Sequence, residues 1–207
     1  MQNEPVRSLG AVVFNGFETL DLFGPLQMFG TLADHFSISI VAENAGQVTS
    51  RHGQKIAVDH AFSDHHAYDL LLVPGGPGTW DQIDNPGFLK WLQRAAPKSE
   101  LVMSVCTGAA FLAKAGLLDG RQATTNKLNF DWVAQFGPKV DWQGRARWVA
   151  DGCYFTSSGV TAGMDMSLAV IEHLVGAERA DHAATHSEYE RQRDPGNDPF
   201  AIHFGIG

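Results

Sequence analysis

Short unbroken apolar runs alternate along this chain with longer stretches in which apolar residues recur every three or four positions. Leu9-Gly-Ala-Val-Val-Phe14 stops at Asn15-Gly16, and Asp69-Leu-Leu-Leu-Val73 stops at Pro74-Gly75-Gly76. Runs of that length, closed by turn residues, predict strands buried on both faces, as in a parallel sheet. Residues 101–105 form another such run, and 36–41 alternates as a strand. Leu26, Phe29, Leu32 and Ala33 fall at helical spacing and predict a helix that begins near Pro25, with the proline in its first turn. Residues 88–96 and 108–118 predict two more helices, the second followed by Gly120. Residues 51–57 suit a strand or hairpin, 128–136 a helix, and 164–175 a long, mostly apolar helix. A hairpin is expected where 147–149 and 154–156 flank Asp151-Gly152. This alternation predicts an α/β fold: a mostly parallel sheet with helices on both faces and its functional loops outside the strands' carboxyl ends. Residues 194–207 are rich in Pro, Gly and Asp and predict a surface loop or arm.

Length and composition narrow the picture further. The chain has 207 residues, which suits one domain over 1–207, and charged residues make up only 18%, so much of it must be buried. A formal charge of −8 repels phosphate backbones and anionic lipid, which argues against nucleic-acid and membrane partners. Residues 1–10 carry no apolar leader core and no run is long enough to cross a bilayer, so a soluble cytoplasmic protein is expected. Two cysteines make no disulfide framework.

The chemistry concentrates at Ser104-Val-Cys106-Thr107-Gly108, where a buried strand meets a helix. Small residues two positions either side of the cysteine give the form of a nucleophile elbow, a tight turn that holds the side chain out. At a helix N-terminus the thiol pKa is expected to fall. The alternative is a buried core cysteine. Cys153 follows a hairpin turn and reads as structural. Gly75 and Gly76 close a strand expected beside that of Cys106, and their amides, with that of Thr107, are candidates for an oxyanion hole; a plain turn explains them equally. Asp21, after the first strand, would have a raised pKa beside a thiol and could move a proton, or it could cap the helix through Pro25. Glu18 is the rival carboxylate. The histidine groups His60, His65, His66 and His182, His186 lack a third convincing ligand, so no metal is expected. Trp132, Trp142 and Trp148 read as core or dimer-face residues. Gly75-Gly76-Pro77-Gly78 has neither the spacing nor the helix of a phosphate loop.

Leu20-Asp21-Leu-Phe-Gly24-Pro25, Leu72-Val-Pro74-Gly75-Gly76, Ser104-Val-Cys106-Thr107-Gly108, Ala115-Gly-Leu-Leu-Asp-Gly120, Ala123-Thr-Thr125 and Gly159-Val-Thr-Ala-Gly-Met-Asp165 together resemble the DJ-1/PfpI (ThiJ) superfamily, over about residues 9–189. The resemblance implies a flavodoxin-like three-layer sandwich related to class I glutamine amidotransferase domains, usually a homodimer. The Leu-Asp-Leu-x-Gly-Pro segment with Ser-Val-Cys-Thr-Gly is most similar to the isonitrile hydratases, cofactor-free lyases that convert R–NC to an N-substituted formamide. That implies a small electrophilic substrate, attack by Cys106, proton handling by Asp21, a hydrogen bond from Thr107 near them, and a pocket completed by Gly75 and Gly76. A redox-sensing or protective DJ-1-like role is the alternative, and a ligand-binding domain without catalysis a third. Thr107 stands where protease-like members carry His, which argues against peptidase action. Asn126-Lys127 stands in place of the His-Trp of the hydratases. AraC-type regulators carry a helix-turn-helix extension after this domain; with a charge of −8 and no such extension in the sequence, direct DNA binding is not expected.

Overall fold

The apolar runs pair into one seven-stranded sheet flanked by amphipathic helices. The computed structural model describes residues 5–206; the first four residues of the chain's start and the last residue of the 194–207 tail lie outside them. In chain order the strands are β1 (Arg7–Val12), β2 (Phe36–Ala42), β3 (Gly46–Thr49), β4 (Lys55–Val58), β5 (His60–Ala61), β6 (Leu70–Val73), β7 (Leu101–Val105), β8 (Gln122–Ala123), β9 (Asp141–Trp142), β10 (Trp148–Asp151) and β11 (Tyr154–Ser157). The helices are α1 (Thr19–Gly30), α2 (Gly78–Gln82), α3 (Pro86–Ala95), α4 (Gly108–Lys114), α5 (Phe130–Ala134), α6 (Ala162–Val175), α7 (Ala177–His186) and α8 (Phe200–His203).

The sheet runs β10-β11-β7-β6-β1-β2-β5. Every pairing in it is parallel except β10 with β11, the hairpin the sequence predicts around Asp151-Gly152. β6 and β7 are buried at every residue, as strands covered on both faces must be. Beneath one face, Phe14 meets Phe111 and Phe88 edge-on at 5.2 and 5.9 Å, the offset geometry aromatic rings prefer. The 51–57 segment is the turn and second strand of the β3–β4 hairpin.

Helix ends depart from their expected bounds: α4 stops at Lys114 rather than 118, α5 covers only Phe130–Ala134 of 128–136, and α1 departs furthest. α1 begins at Thr19, six residues before Pro25, so the proline lies inside the helix. The reason is packing: Leu22, Pro25, Met28 and Phe29 share a buried face with Asp21, and the N–H that Pro25 lacks deprives only the Asp21 carbonyl of its helical donor. Gly24 brings α1 against Met164 of α6, where a Cβ would lie 2.8 Å from the methionine side chain.

Because β1, β6, β7 and β11 are neighbours and parallel, the loops after their carboxyl ends meet at one place. Gly108, where β7 passes into α4, sits against the Val73 and Pro74 carbonyls at the end of β6, with no room for a Cβ. Gly108→Ala is therefore expected to lower stability by about 2–4 kcal/mol. A urea unfolding curve with unchanged slope and a lower midpoint checks this; an unchanged midpoint would show that the two strand ends can separate freely.

Candidate active site

β7 delivers Cys106 to the sheet edge, and the chain turns there with φ +57°. A left-handed conformation costs a non-glycine residue about 1–2 kcal/mol, so the surroundings must hold it. They do so at both ends of the residue. The Cys106 N–H donates to the Ser157 and Ser158 carbonyls at 3.2 and 3.1 Å, and the Thr125 hydroxyl donates to the Cys106 carbonyl at 2.8 Å. This is the elbow anticipated from Ser104-Val-Cys106-Thr107-Gly108, and it leaves Cys106 8% exposed.

Asp21 lies fully buried beside it, in the first turn of α1. One carboxyl oxygen, Oδ2, accepts the Gly75 N–H at 3.0 Å. The other, Oδ1, has no hydrogen bond that meets ordinary geometry, and the Cys106 thiol and the Val160 N–H are the groups near enough to favour its charge. The helix N-cap is Glu18, so Asp21 does not cap the segment through Pro25. Glu18, the rival carboxylate, turns away to Arg51 at 2.8 Å and His52 at 3.7 Å. Burial dominates the titration of Asp21 and pushes its pKa up to about 8, with Glu18 adding to the rise and the Gly75 N–H opposing it.

The thiol behaves contrary to the sequence expectation. Burial, and then the Asp21 charge, push Cys106 well above its ordinary value, and the Thr107 N–H only partly opposes them. The macrodipole argument fails because α4 has seven residues and presents one amide, whereas burial removes the solvation of the whole thiolate. Near neutral pH the pair therefore rests neutral, with a proton on the carboxyl and another on sulfur. A buried acid that keeps its proton is a general acid in waiting.

Gly75 and Gly76 sit where expected, but their amides are engaged. Gly75 N–H serves Asp21, and Gly76 N–H donates to the Thr107 hydroxyl at 3.0 Å. That hydroxyl also meets Thr79 at 2.9 Å, so Thr107 ties the elbow to the glycine loop, while its amide faces the sulfur. A Cβ on Gly75 would lie 2.5 Å from the Thr107 nitrogen and hydroxyl, which explains the glycine better than a free turn does. The two glycines thus build the wall behind Asp21 and Cys106, and Thr107 N–H is the amide left facing the thiol.

The other sequence candidates lie elsewhere. Cys153 is half-buried in the β10–β11 turn. His60 and His66 stack at 3.7 Å with His60 bonded to Tyr68, and His182 and His186 stand 6.1 Å apart on α7. Among the described residues no three His, Cys, Asp or Glu side chains converge as metal ligands. Trp148 is buried, Trp142 is half-buried, and Trp132 stacks on Trp80 at 4.3 Å. Clefts of about 370 Å³ between Thr31–His35 and α7, and about 410 Å³ beside β10 and Pro195, include none of Cys106, Asp21 and Thr107. No helix among the described residues is long and apolar enough to cross a membrane.

Sequence reasoning did not assign Thr125, Ser157 and Ser158, which fix the elbow, or Val160, which turns beside Asp21 at φ +46°. For Thr125 and Val160 the signal was present in Ala123-Thr-Thr125 and the segment that starts at Gly159, both read only as family marks; Ser157 and Ser158 lie outside both.

The model of the DJ-1/PfpI family matches residues 8–173. The chain belongs to the DJ-1/PfpI family. It is 33% identical over 183 residues to the isonitrile hydratase of Pseudomonas putida, covering 87% of this chain and 78% of that one. It is 31% identical over 202 residues to the transcriptional regulator GbdR of Pseudomonas aeruginosa (strain UCBPP-PA14), covering 93% of this chain and 53% of the regulator, so it spans about half of that relative. The crystal structure of a ThiJ/PfpI family protein from Pseudomonas syringae superposes with a TM-score of 0.84 at 32% identity, covering 92% of this chain and 78% of that one. The DJ-1/PfpI fold and the placement of Cys106 between strand and helix are thereby established.

The Asp21 shift makes a stability prediction. A carboxyl whose folded pKa is about 8 keeps its proton in the native state while the unfolded chain loses it from about pH 4 upward, so stability falls as pH rises through that window. Asp21→Asn removes the penalty and is expected to be more stable than wild type by at least about 2 kcal/mol at pH 8, the gain vanishing near pH 4. Thermal unfolding across that range measures it, and a destabilised Asn variant at pH 8 would mean the carboxylate is well solvated.

Proposed function

We propose that the protein is a cysteine-dependent hydratase that adds water to a small isocyanide-type electrophile and releases an N-substituted formamide. The observation that carries this reading is the buried Asp21–Cys106 pair, in which a carboxyl that holds a proton near neutral pH lies beside a thiol on a strained elbow. The similarity to the isonitrile hydratase of Pseudomonas putida supports the substrate class. So does access: a cysteine that is only 8% exposed favours a substrate with a slender reacting end, as the terminal carbon of the linear R–NC group is.

The proton ledger closes without a cofactor. Asp21 gives its proton to the isocyanide carbon as the Cys106 sulfur bonds to it, and the carboxylate takes the proton that leaves sulfur, which gives the thioimidate R–N=CH–S. Water then adds across the C=N bond, its proton going to nitrogen and its oxygen to carbon. The C–S bond breaks, the new hydroxyl proton returns to sulfur, and R–NH–CHO leaves. The Thr107 N–H faces the sulfur and stabilises the thiolate as it forms and departs. Gly75 and Gly76 serve by keeping Asp21 and Thr107 in place.

A second reading is favoured by the match to half of a transcriptional regulator: a ligand-binding domain that does not turn over. Purified protein incubated with a panel of alkyl isocyanides, followed by mass spectrometry of the formamide, separates the two. Wild type is expected to form product, Cys106→Ser to lose it entirely, and Asp21→Asn to fall by about 10²–10⁴-fold. Activity should decline as pH rises above about 8, where Asp21 loses its proton. Binding of the isocyanides without product from wild type would favour the ligand-binding domain instead.

A further inference from the structure

The C-terminal arm reaches back to the elbow through a buried charge cluster. The arm is pinned by backbone bonds from Arg147 N–H to the Pro195 carbonyl, 2.7 Å, and from Asp198 N–H to the Arg145 carbonyl, 2.8 Å. These insert the Asp198 carboxylate between Lys127 and Arg147, at 3.9 Å from each, with the Asp198 and Lys127 side chains each only 1% exposed. Asp198 Oδ1 accepts the Phe200 N–H, whereas Oδ2 is buried with no hydrogen bond. Its function there is to balance charge: Lys127 and Arg147 are matched by Asp198 and by Asp165, which binds Arg147 at 2.7 Å.

Lys127 through its ammonium, and Arg147 through its backbone carbonyl, each hold one of the two segments that fix Cys106. Lys127 Nζ donates to the Thr124 hydroxyl at 2.9 Å, the Thr125 carbonyl at 3.2 Å and the Ala146 carbonyl at 2.6 Å, and Thr125 in turn donates to the Cys106 carbonyl. On the other side, the Ser158 N–H donates to the Arg147 carbonyl at 2.8 Å, and Ser158 accepts the Cys106 N–H. The Arg147 guanidinium also reaches the Thr161 hydroxyl, one residue beyond the left-handed Val160.

We propose that Asp198 is a positioning residue for Cys106: by holding Lys127 and Arg147 together it locks Thr125 and Ser158, and so both ends of the Cys106 backbone, in the reactive turn. This rests on Cys106 being the nucleophile, though not on the isocyanide substrate. Without the carboxylate, Arg147 keeps Asp165 but Lys127 is left uncompensated beside it, so the lysine must move away or shed its proton, and the bonds it carries loosen with it.

The test is Asp198→Asn, which keeps the shape of the side chain, read by two measurements that do not depend on turnover. Iodoacetamide labelling of Cys106, followed by peptide mass spectrometry, is expected to be about threefold to tenfold faster than in wild type, because the elbow opens more often. Amide hydrogen exchange is expected to quicken over 104–108, 124–127 and 157–161, while β1 and β6 keep their protection. If the asparagine variant does not fold, Lys127→Met with Asp198→Leu removes both charges and leaves no uncompensated cation, yet still frees the Thr125 carbonyl. The same faster labelling is expected. Wild-type labelling with faster exchange confined to 194–206 would overturn the proposal and make the arm a surface strap. A wild-type Cys106 that resists the reagent even at high pH would instead overturn the nucleophile on which it rests.

Discussion

The left-handed turn at Cys106 is the constraint on which the rest of the site depends. A residue with a Cβ resists φ +57°, so the turn persists only while its N–H and its carbonyl are both held from outside the elbow. Those holds come from opposite directions, Ser157 and Ser158 on the β11 side and Thr125 after β8, and neither belongs to β7 or α4. The sheet order makes this feasible, because β11 is the immediate neighbour of β7 and its carboxyl end lies level with the cysteine. The strain at Cys106 is therefore stored in long-range contacts rather than in the local sequence.

Two buried charge sets flank that turn, and they reach neutrality by different routes. Among the described residues no cation acts on Asp21 or Cys106, so burial keeps both protons in place near neutral pH. Lys127, Arg147, Asp165 and Asp198 instead balance one another, and Lys127, pushed down to about 8 by burial, is held up by Asp198. The first set can release a proton to a substrate because nothing else neutralises it. The second is suited to staying fixed, since moving any one member leaves its partner's charge exposed to a low-dielectric interior.

How much of this was legible follows from the range of the interactions. The buried strands 69–73 and 101–105, the β10–β11 hairpin and the elbow motif are set by local pattern, and the structure has them where the pattern puts them. The start of α1 was misplaced because Pro25 is a strong local signal for a first turn, whereas the buried face shared with α6 is a tertiary effect that outweighs it. Asp21, Cys106, Thr107, Gly75 and Gly76 do meet, but the partners of the glycine amides could not be read from spacing. Least legible was Asp198: an acidic residue in a Pro- and Gly-rich tail looks like a solvated loop, and only the fold brings it to Lys127, 71 positions earlier.

The reversal of the thiol pKa has the widest chemical consequence. A helix terminus contributes a partial charge from a few amides, while burying an anion forfeits nearly all of its hydration, so where both act the second prevails unless a cation is close. Around Cys106 the nearest charge is a carboxyl, which deepens the penalty once it ionises. A site built for a standing thiolate would place a cation or several free amides there. This one gives Gly75 N–H to Asp21 and Gly76 N–H to Thr107, and so spends its amides on holding the acid and the elbow rather than on the sulfur. What the geometry stores is a positioned proton beside a buried, protonated thiol, an arrangement suited to the proposed class of substrate, which becomes electrophilic only on receiving that proton.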